Sequence, residues 1–334
     1  MEGVEKLCHV RTDDEVASLI IAEILARRRL LPGEHAKENI FRDEAAPHYG
    51  KVMSAVNQQQ PLVMVLPAFP AKSPSRRKTL SHLPDYGEEL GLSNLNDLCS
   101  RITQFYEPGV KILICSDGRV FADVVRIPDQ DVTAYNEALR ELARDMQLAH
   151  IDFFDLDDVY PSLTDHTALR EDLMVLYGEA LGPLQERCRS QPEATAMYRG
   201  ITKFLFEDFC GLQEFSNLSR TMIQGLARTA AYRVIQRSNA WSRLLADRFS
   251  NSVRLSIHPQ FRVSEKIGIS LIDAADCWAT PWHSVVLKRG NRVSLLPRAE
   301  AEQMDAALIF KKGRPSYFQL SEVSPLDPRP GALC

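Results

Sequence analysis

Pro61-Leu-Val-Met-Val-Leu66 runs directly into Pro67-Ala-Phe-Pro-Ala-Lys-Ser-Pro-Ser-Arg-Arg-Lys-Thr-Leu80. The first six residues have the length and β-branched content of a buried strand, and prolines then stop it. Four cations follow within seven residues: Lys72, Arg76, Arg77 and Lys78. They stand out in a chain of 334 residues with net charge −4, and no acidic residue falls between Glu44 and Asp85. A cationic loop at the end of a buried strand is where a doubly wound α/β protein holds an anionic ligand. The plainer reading is a solvated basic loop.

Outward from this stretch, strand and helix signals alternate. An amphipathic helix is expected over about 13–29, ending before Pro32, and another over 88–105. A second buried strand, Val110-Lys-Ile-Leu-Ile-Cys115, leads into Ser116-Asp-Gly-Arg119. Asp-Gly favours a tight turn, which would pair that strand with one at 120–125. A helix over 131–146 and a strand over 150–154 follow, ending in Asp155-Leu-Asp-Asp158. This order predicts a parallel sheet with right-handed crossovers, its loops converging at the strands' carboxyl ends. Residues 165–248 read as helical, most clearly 219–248. Strands return at 253–257, 267–272, 284–287 and 317–320. The fold class expected is α/β: a Rossmann-like parallel-sheet core (61–160) with a helical insertion (161–250) and a β-rich C-terminal part (251–324). A helical N-terminal segment (1–60) precedes the core, and 1–334 read as a single domain.

Composition excludes several classes. Hydrophobic content of 45% and charged content of 25% are those of a soluble globular protein. No apolar run approaches the ~20 residues of a membrane span, and the net negative charge gives no drive toward nucleic acid or an anionic membrane. Seven scattered cysteines without a Cys-x-x-Cys pair suggest reduced thiols. The N-terminus lacks a signal-peptide pattern, so a cytoplasmic location is expected. The dinucleotide, P-loop and nucleophile-elbow glycine patterns are absent. No two histidines sit at ligand spacing on one helix, so no metal is expected. Asp155, Asp157 and Asp158 could bind Mg²⁺, but acidic residues clustered at a strand end are more often solvated, and the three could equally cap the next segment.

Three further constellations remain as candidates. Asp117 and Arg119 present a carboxylate and a guanidinium beside the cationic loop. His258 and His283 sit at strand ends next to Pro259 and Trp282, and imidazole titrates near neutrality, as acid/base work needs. Lys266 is the only lysine between Lys203 and Lys288, and partial burial would lower its pKa toward proton transfer. For each, the plain alternative is a structural hydrogen bond or a solvated charge.

Taken together, the 66–80 stretch, Ser116-Asp-Gly-Arg-Val-Phe-Ala-Asp-Val-Val125, Arg254-Leu-Ser-Ile-His-Pro259 with Lys266, and Thr280-Pro-Trp-His283 resemble one family. It is that of the isocyanide (isonitrile) synthases, the PvcA-like proteins of pyoverdine/dityrosine biosynthesis. The motifs stand in the family's order over about 60–290. Ser81-His82 departs from the family, where a glycine often follows the Lys-Thr-Leu equivalent, and Arg76-Arg77 is more basic than usual. The resemblance implies a cofactor-free carbon–carbon lyase of secondary metabolism. The α-amine of an amino acid, L-tyrosine first and L-tryptophan next, would condense with the ketone of ribulose 5-phosphate, and one sugar carbon would remain on nitrogen. An oxygenase would act on the product downstream. On this reading Lys72, Arg76, Arg77, Lys78 and Arg119 bind phosphate and carboxylate. His283, His258, Lys266 and Asp117 move protons. Phe69, Phe121, Trp278 and Trp282 wall an aromatic slot. The alternatives are a sugar-phosphate isomerase or kinase-like enzyme and a non-catalytic phosphometabolite-binding protein.

Overall fold

The computed structural model describes residues 11–34, 41–272 and 279–320. The N-terminal helices are α1 (Asp13–Leu25), started by a Thr12/Glu15 capping box, and α2 (Phe41–Asn57). The core then alternates: β1 (Leu62–Leu66), α3 (Tyr86–Thr103), β2 (Val110–Cys115), α4 (Gly118–Val125), α5 (Asp129–Asp145) and β3 (Ile151–Phe154). A helical stretch follows: α6 (Leu156–Val159), α7 (His166–Tyr177), α8 (Leu181–Ser190), α9 (Pro192–Phe209) and the long α10 (Arg220–Arg248). The chain returns to the core as β4 (Val253–Ser256) and β5 (Ile267–Gly268). It ends in β6 (Val285–Arg289), β7 (Arg292–Leu296), α11 (Arg298–Gln303), β8 (Ala307–Lys311) and β9 (Arg314–Gln319).

The first five strands are parallel in the order β3-β2-β1-β4-β5. This is the Rossmann-like sheet expected. Its central strands read as apolar runs because both faces are covered. On β1, Leu62, Met64 and Leu66 join one core, with α1, α2 and α3, while Val65 joins the other, under α10. The strand order reverses between β1 and β4, so the crevice beyond their carboxyl ends is the topological switch point. The last four strands form a mixed sheet ordered β7-β6-β9-β8. Among the described residues, no helix is long and apolar enough to cross a membrane.

Three local expectations need correction. Residues 118–125 are helix, not the second arm of a hairpin. The edge of β2 away from β1 is taken by β3 in parallel, and a parallel neighbour requires the chain to leave the sheet through a crossover. Gly118 is required by close approach rather than by a turn, because a Cβ there would lie 1.6 Å from the Pro70 carbonyl oxygen. The strand expected over 267–272 is only Ile267–Gly268, and β7 and β8 lie where no strand was read.

Candidate active site

Three segments meet at the switch point: the loop after β1, the β2–α4 junction, and the chain around the end of β4 with the turn at 281–283. Sequence reading placed the first two at the sheet's carboxyl edge, with His258 at a strand end and His283 at the start of another strand. The structure decides what each side chain does there.

Lys72 is fully buried, and its ammonium is spent. It donates to Asp85 at 2.7 Å and to the Pro281 carbonyl at 2.9 Å, and it lies 2.8 Å from Glu88. Asp85 and Glu88 form the capping box of α3, and Tyr135 donates to the far oxygen of Glu88. Burial pushes the Asp85 carboxyl up while Lys72 opposes it. Lys72 therefore ties the β1 loop, α3 and the 281–283 turn together, and a phosphate there would have to displace two carboxylates. Lys78 is likewise engaged, 2.8 Å from Asp208 and 3.2 Å from Glu207 on α9, with its ammonium 5.3 Å from the centre of the Phe204 ring. Arg76 and Arg77 are exposed. They make no ion pair among the described residues.

Arg119 also departs from the expected role. Its guanidinium is buried and donates to Asp157, to the Asp129 carbonyl and carboxylate, and to Thr133. Arg170 shares Asp129. This network locks α4, α5, α6 and α7 together and leaves no fork for a substrate. The acidic run is accounted for as well. Asp155 accepts from the backbone N–H groups of Asp157 and Asp158, and the Asp158 carboxylate accepts from that of Asp155. Asp155 further pairs with Arg140. The three aspartates are thus a helix cap and its ion pairs.

Asp117 stands apart from them. It occupies the N-cap position of α4 but makes no side-chain capping bond, and it has no ion pair among the described residues. Partly accessible and walled by protein, its carboxyl is pushed up to about 7 by burial. A carboxyl that neither caps nor pairs, and that changes charge near neutrality, is suited to general acid/base work.

His283 ends the 281–283 turn, its ring 4.5 Å from that of Phe204. Burial and the nearby Lys78, Lys72 and His258 hold it down to about 3, so it is neutral at pH 7. The expectation of an imidazole titrating near neutrality does not hold for it. Its buried Nδ1 has no hydrogen-bond partner, so the ring can still take or donate a hydrogen bond once a substrate group arrives. His258 is open to solvent within the cleft, and burial of its surroundings, with Arg29 and Lys266, holds it below its ordinary value. Lys266 is lowered by burial and by Arg254, and it donates to the Ser242 hydroxyl on α10 at 3.2 Å.

The aromatics form a floor more than a slot. Phe69 and Trp282 are buried against each other with ring centres 5.3 Å apart. Phe69 adopts φ +56°, in the left-handed region that a bulky residue rarely enters, and its ring fills the space beside Gly91. Phe121 is partly buried against the α10-side core, and Trp278 lies outside the described residues. Phe204, Asp208 and Ser75 were missed. Ser75 carries a buried hydroxyl without a hydrogen-bond partner, and a Cβ on Gly211 would come within 2.4 Å of it, while Asp208 is the buried carboxylate that pairs with Lys78. Only the Asp85/Glu88 cap had a visible sequence signal, the Asp-x-x-Glu spacing.

The model of the pyoverdine/dityrosine biosynthesis protein family matches residues 52–309. An L-tyrosine isonitrile synthase of Pseudomonas aeruginosa is 41% identical over 315 residues, covering 92% of this chain and 95% of that protein. The L-tryptophan isonitrile synthase AmbI2 of Fischerella ambigua is 39% identical over 328 residues, 97% of each chain. The crystal structure of PvcA from Pseudomonas aeruginosa superposes with a TM-score of 0.86 at 40% identity, over 92% of this chain and 100% of that one. The chain belongs to the pyoverdine/dityrosine biosynthesis family.

Proposed function

We propose that this chain is an isonitrile synthase that converts the α-amino group of L-tyrosine, or next L-tryptophan, into an isocyanide, with ribulose 5-phosphate as the carbon donor. Its near full-length likeness to relatives named for those two amino acids supports the reaction type. The observation that carries the site is Asp117, an unpaired carboxyl at the switch point held at about 7. Condensation of an amine with a ketone expels water, and the later carbon–carbon cleavages need groups that both take and give protons. Asp117 can do both near neutral pH. His283, neutral and with a free buried nitrogen, orients or accepts from a substrate group, and His258 serves from the open side of the cleft. An oxygenase acting next on the isocyanide fits the same reading.

The test is to incubate the purified protein with ribulose 5-phosphate and each amino acid, reading the isocyanide by mass spectrometry and formaldehyde by trapping. Consumption of the sugar phosphate without the amine would replace this reading with an isomerase, and binding without turnover with a metabolite-binding protein. Asp117→Asn should lower turnover by about 10²–10⁴-fold. The same variant should be more stable than the parent at pH 8. Above an ordinary carboxyl pKa the unfolded chain ionises freely, whereas the folded chain resists ionisation up to about 7. Asparagine removes that penalty. Unchanged turnover in Asp117→Asn would exclude it from the proton transfers.

A further inference from the structure

The cations on β4 and just before β5 lack the carboxylates that neutralise the β1 loop. Arg254, on β4 beside Val65 of β1, is half-buried beneath α10 and donates to the carbonyl and hydroxyl of Ser242. Lys266 donates to the same Ser242 hydroxyl from the loop before β5. Two cations thus share one neutral oxygen, close enough that Arg254 lowers Lys266. Lys51, on α2, is lowered by burial and again by Arg254. Glu265 is the one anion felt by all three, and it is exposed and in ion-pair contact with none of them. Half-buried charges of one sign, without a partner of the other, are costly in a folded chain. Three cations against one carboxylate leave two positive charges, the complement of a phosphate dianion.

We infer that Arg254 and Lys266, with Lys51 behind them, form the oxyanion subsite of the switch-point crevice and take the phosphate of the sugar substrate. Arg254 offers a planar fork to phosphate oxygens and Lys266 a mobile point charge, the pairing that phosphate sites favour. The Ser242 hydroxyl holds both cations in place while the site is empty. The position lies across the order reversal from β1, with Arg254 level with Val65 near that strand's carboxyl end. It moves the anion from the β1 loop, whose Lys72 and Lys78 are already neutralised, to the strand on the other side of that reversal. The identity of the anion rests on the proposed function; the presence of an oxyanion site does not.

The experiment separates the two. Calorimetric titration of the full chain with inorganic phosphate and with ribulose 5-phosphate is compared for the parent, Arg254→Gln, Arg254→Lys and Lys266→Met, each checked by its melting curve. Steady-state isocyanide formation is measured on the same samples. Phosphate and sugar-phosphate affinity should fall at least tenfold in Arg254→Gln and Lys266→Met. KM for ribulose 5-phosphate should rise in step, KM for the amino acid should stay unchanged, and Arg254→Lys should recover part of the loss. A rise confined to KM for the amino acid would overturn the phosphate assignment and make the site the carboxylate clamp. Parental phosphate affinity in folded Lys266→Met and Arg254→Lys, with loss instead in Arg76→Ala or Arg77→Ala, would overturn the subsite and return the anion to the β1 loop. If the parent makes no isocyanide yet phosphate binding depends on Arg254 and Lys266, the subsite stands and the proposed reaction fails.

Discussion

Two cationic regions flank the switch point, and they are built in opposite ways. In the β1 loop the conspicuous lysines are sealed into ion pairs: Lys72 with Asp85 and Glu88, Lys78 with Asp208 and Glu207. Around β4 and α2 the cations are scattered in sequence: Arg254 and Lys266 share a hydroxyl rather than a carboxylate, and Lys51 feels the charge of Arg254. Charge density along a chain measures what is available, whereas charge balance in space measures what remains for a ligand. The first region is architecture that carries the Pro281-Trp-His283 turn, and the second keeps its positive potential.

The contrast is most easily broken at Lys72. Lys72→Met leaves two buried carboxylates around an apolar group, and removing one partner of a buried pair costs about 3–5 kcal/mol. Denaturant unfolding should record that loss, and a variant as stable as the parent would show the Lys72 cluster to be dispensable. Lys78→Ala is the next largest. Its partner Asp208 is buried but Lys78 itself is not fully so, and a loss of about 1–3 kcal/mol is expected for the orphaned carboxylate. Burial already raises Asp208, so the loss should be smaller at pH 5 than at pH 8, where the carboxylate can no longer take up a proton cheaply. An equal loss at both pH values would assign the effect to packing.

A smaller effect sharpens the other side. His48, next to Lys51 on α2, is held down to about 4 by burial and by that lysine. Between about 6.5 and about 4 the unfolded chain therefore takes a proton that the folded chain refuses. Stability should fall as the pH drops through that window, by at most about 1.4 kcal/mol per pH unit for this group. His48→Gln should flatten the dependence of melting temperature on pH between those limits. A parental slope in the variant would place the acid sensitivity elsewhere. The smallest change is expected at the exposed Arg76 and Arg77, whose replacement by alanine should move stability by no more than about 0.5 kcal/mol. A larger loss would mean that these side chains hold the loop in place.

The structure also separates what the motifs shared in sequence. Asp117 and Arg119 are two residues apart, yet the first is free at the crevice and the second is bound into the network between helices. A helix start explains the split, because successive residues leave a helix in different directions. Residues 120–125 misled as a strand because local β-branched content says nothing about which sheet edge is vacant. His283 kept its place at the site but lost its expected titration, since burial and two lysines suppress its charge. Phe204 and Asp208 carried no readable signal. Their meeting with His283 and Lys78 depends on how α9 lies over the β1 loop.

By itself the sequence determined the alternation of strand and helix, the parallel sheet and the carboxyl-edge location of the loops at 66–80, 116–119 and 155–158. Those follow from apolar runs, prolines and the limited ways a right-handed crossover can be made. It also determined the family, through four separated motifs in order. Only the tertiary structure decided which charges are neutralised, which carboxyl stays unpaired and which cations are left facing one another. Ion pairing, hydrogen bonding and desolvation act over a few ångströms between residues tens or hundreds of positions apart, such as Lys72 with Pro281 or Lys266 with Ser242. No spacing along the chain encodes that distance.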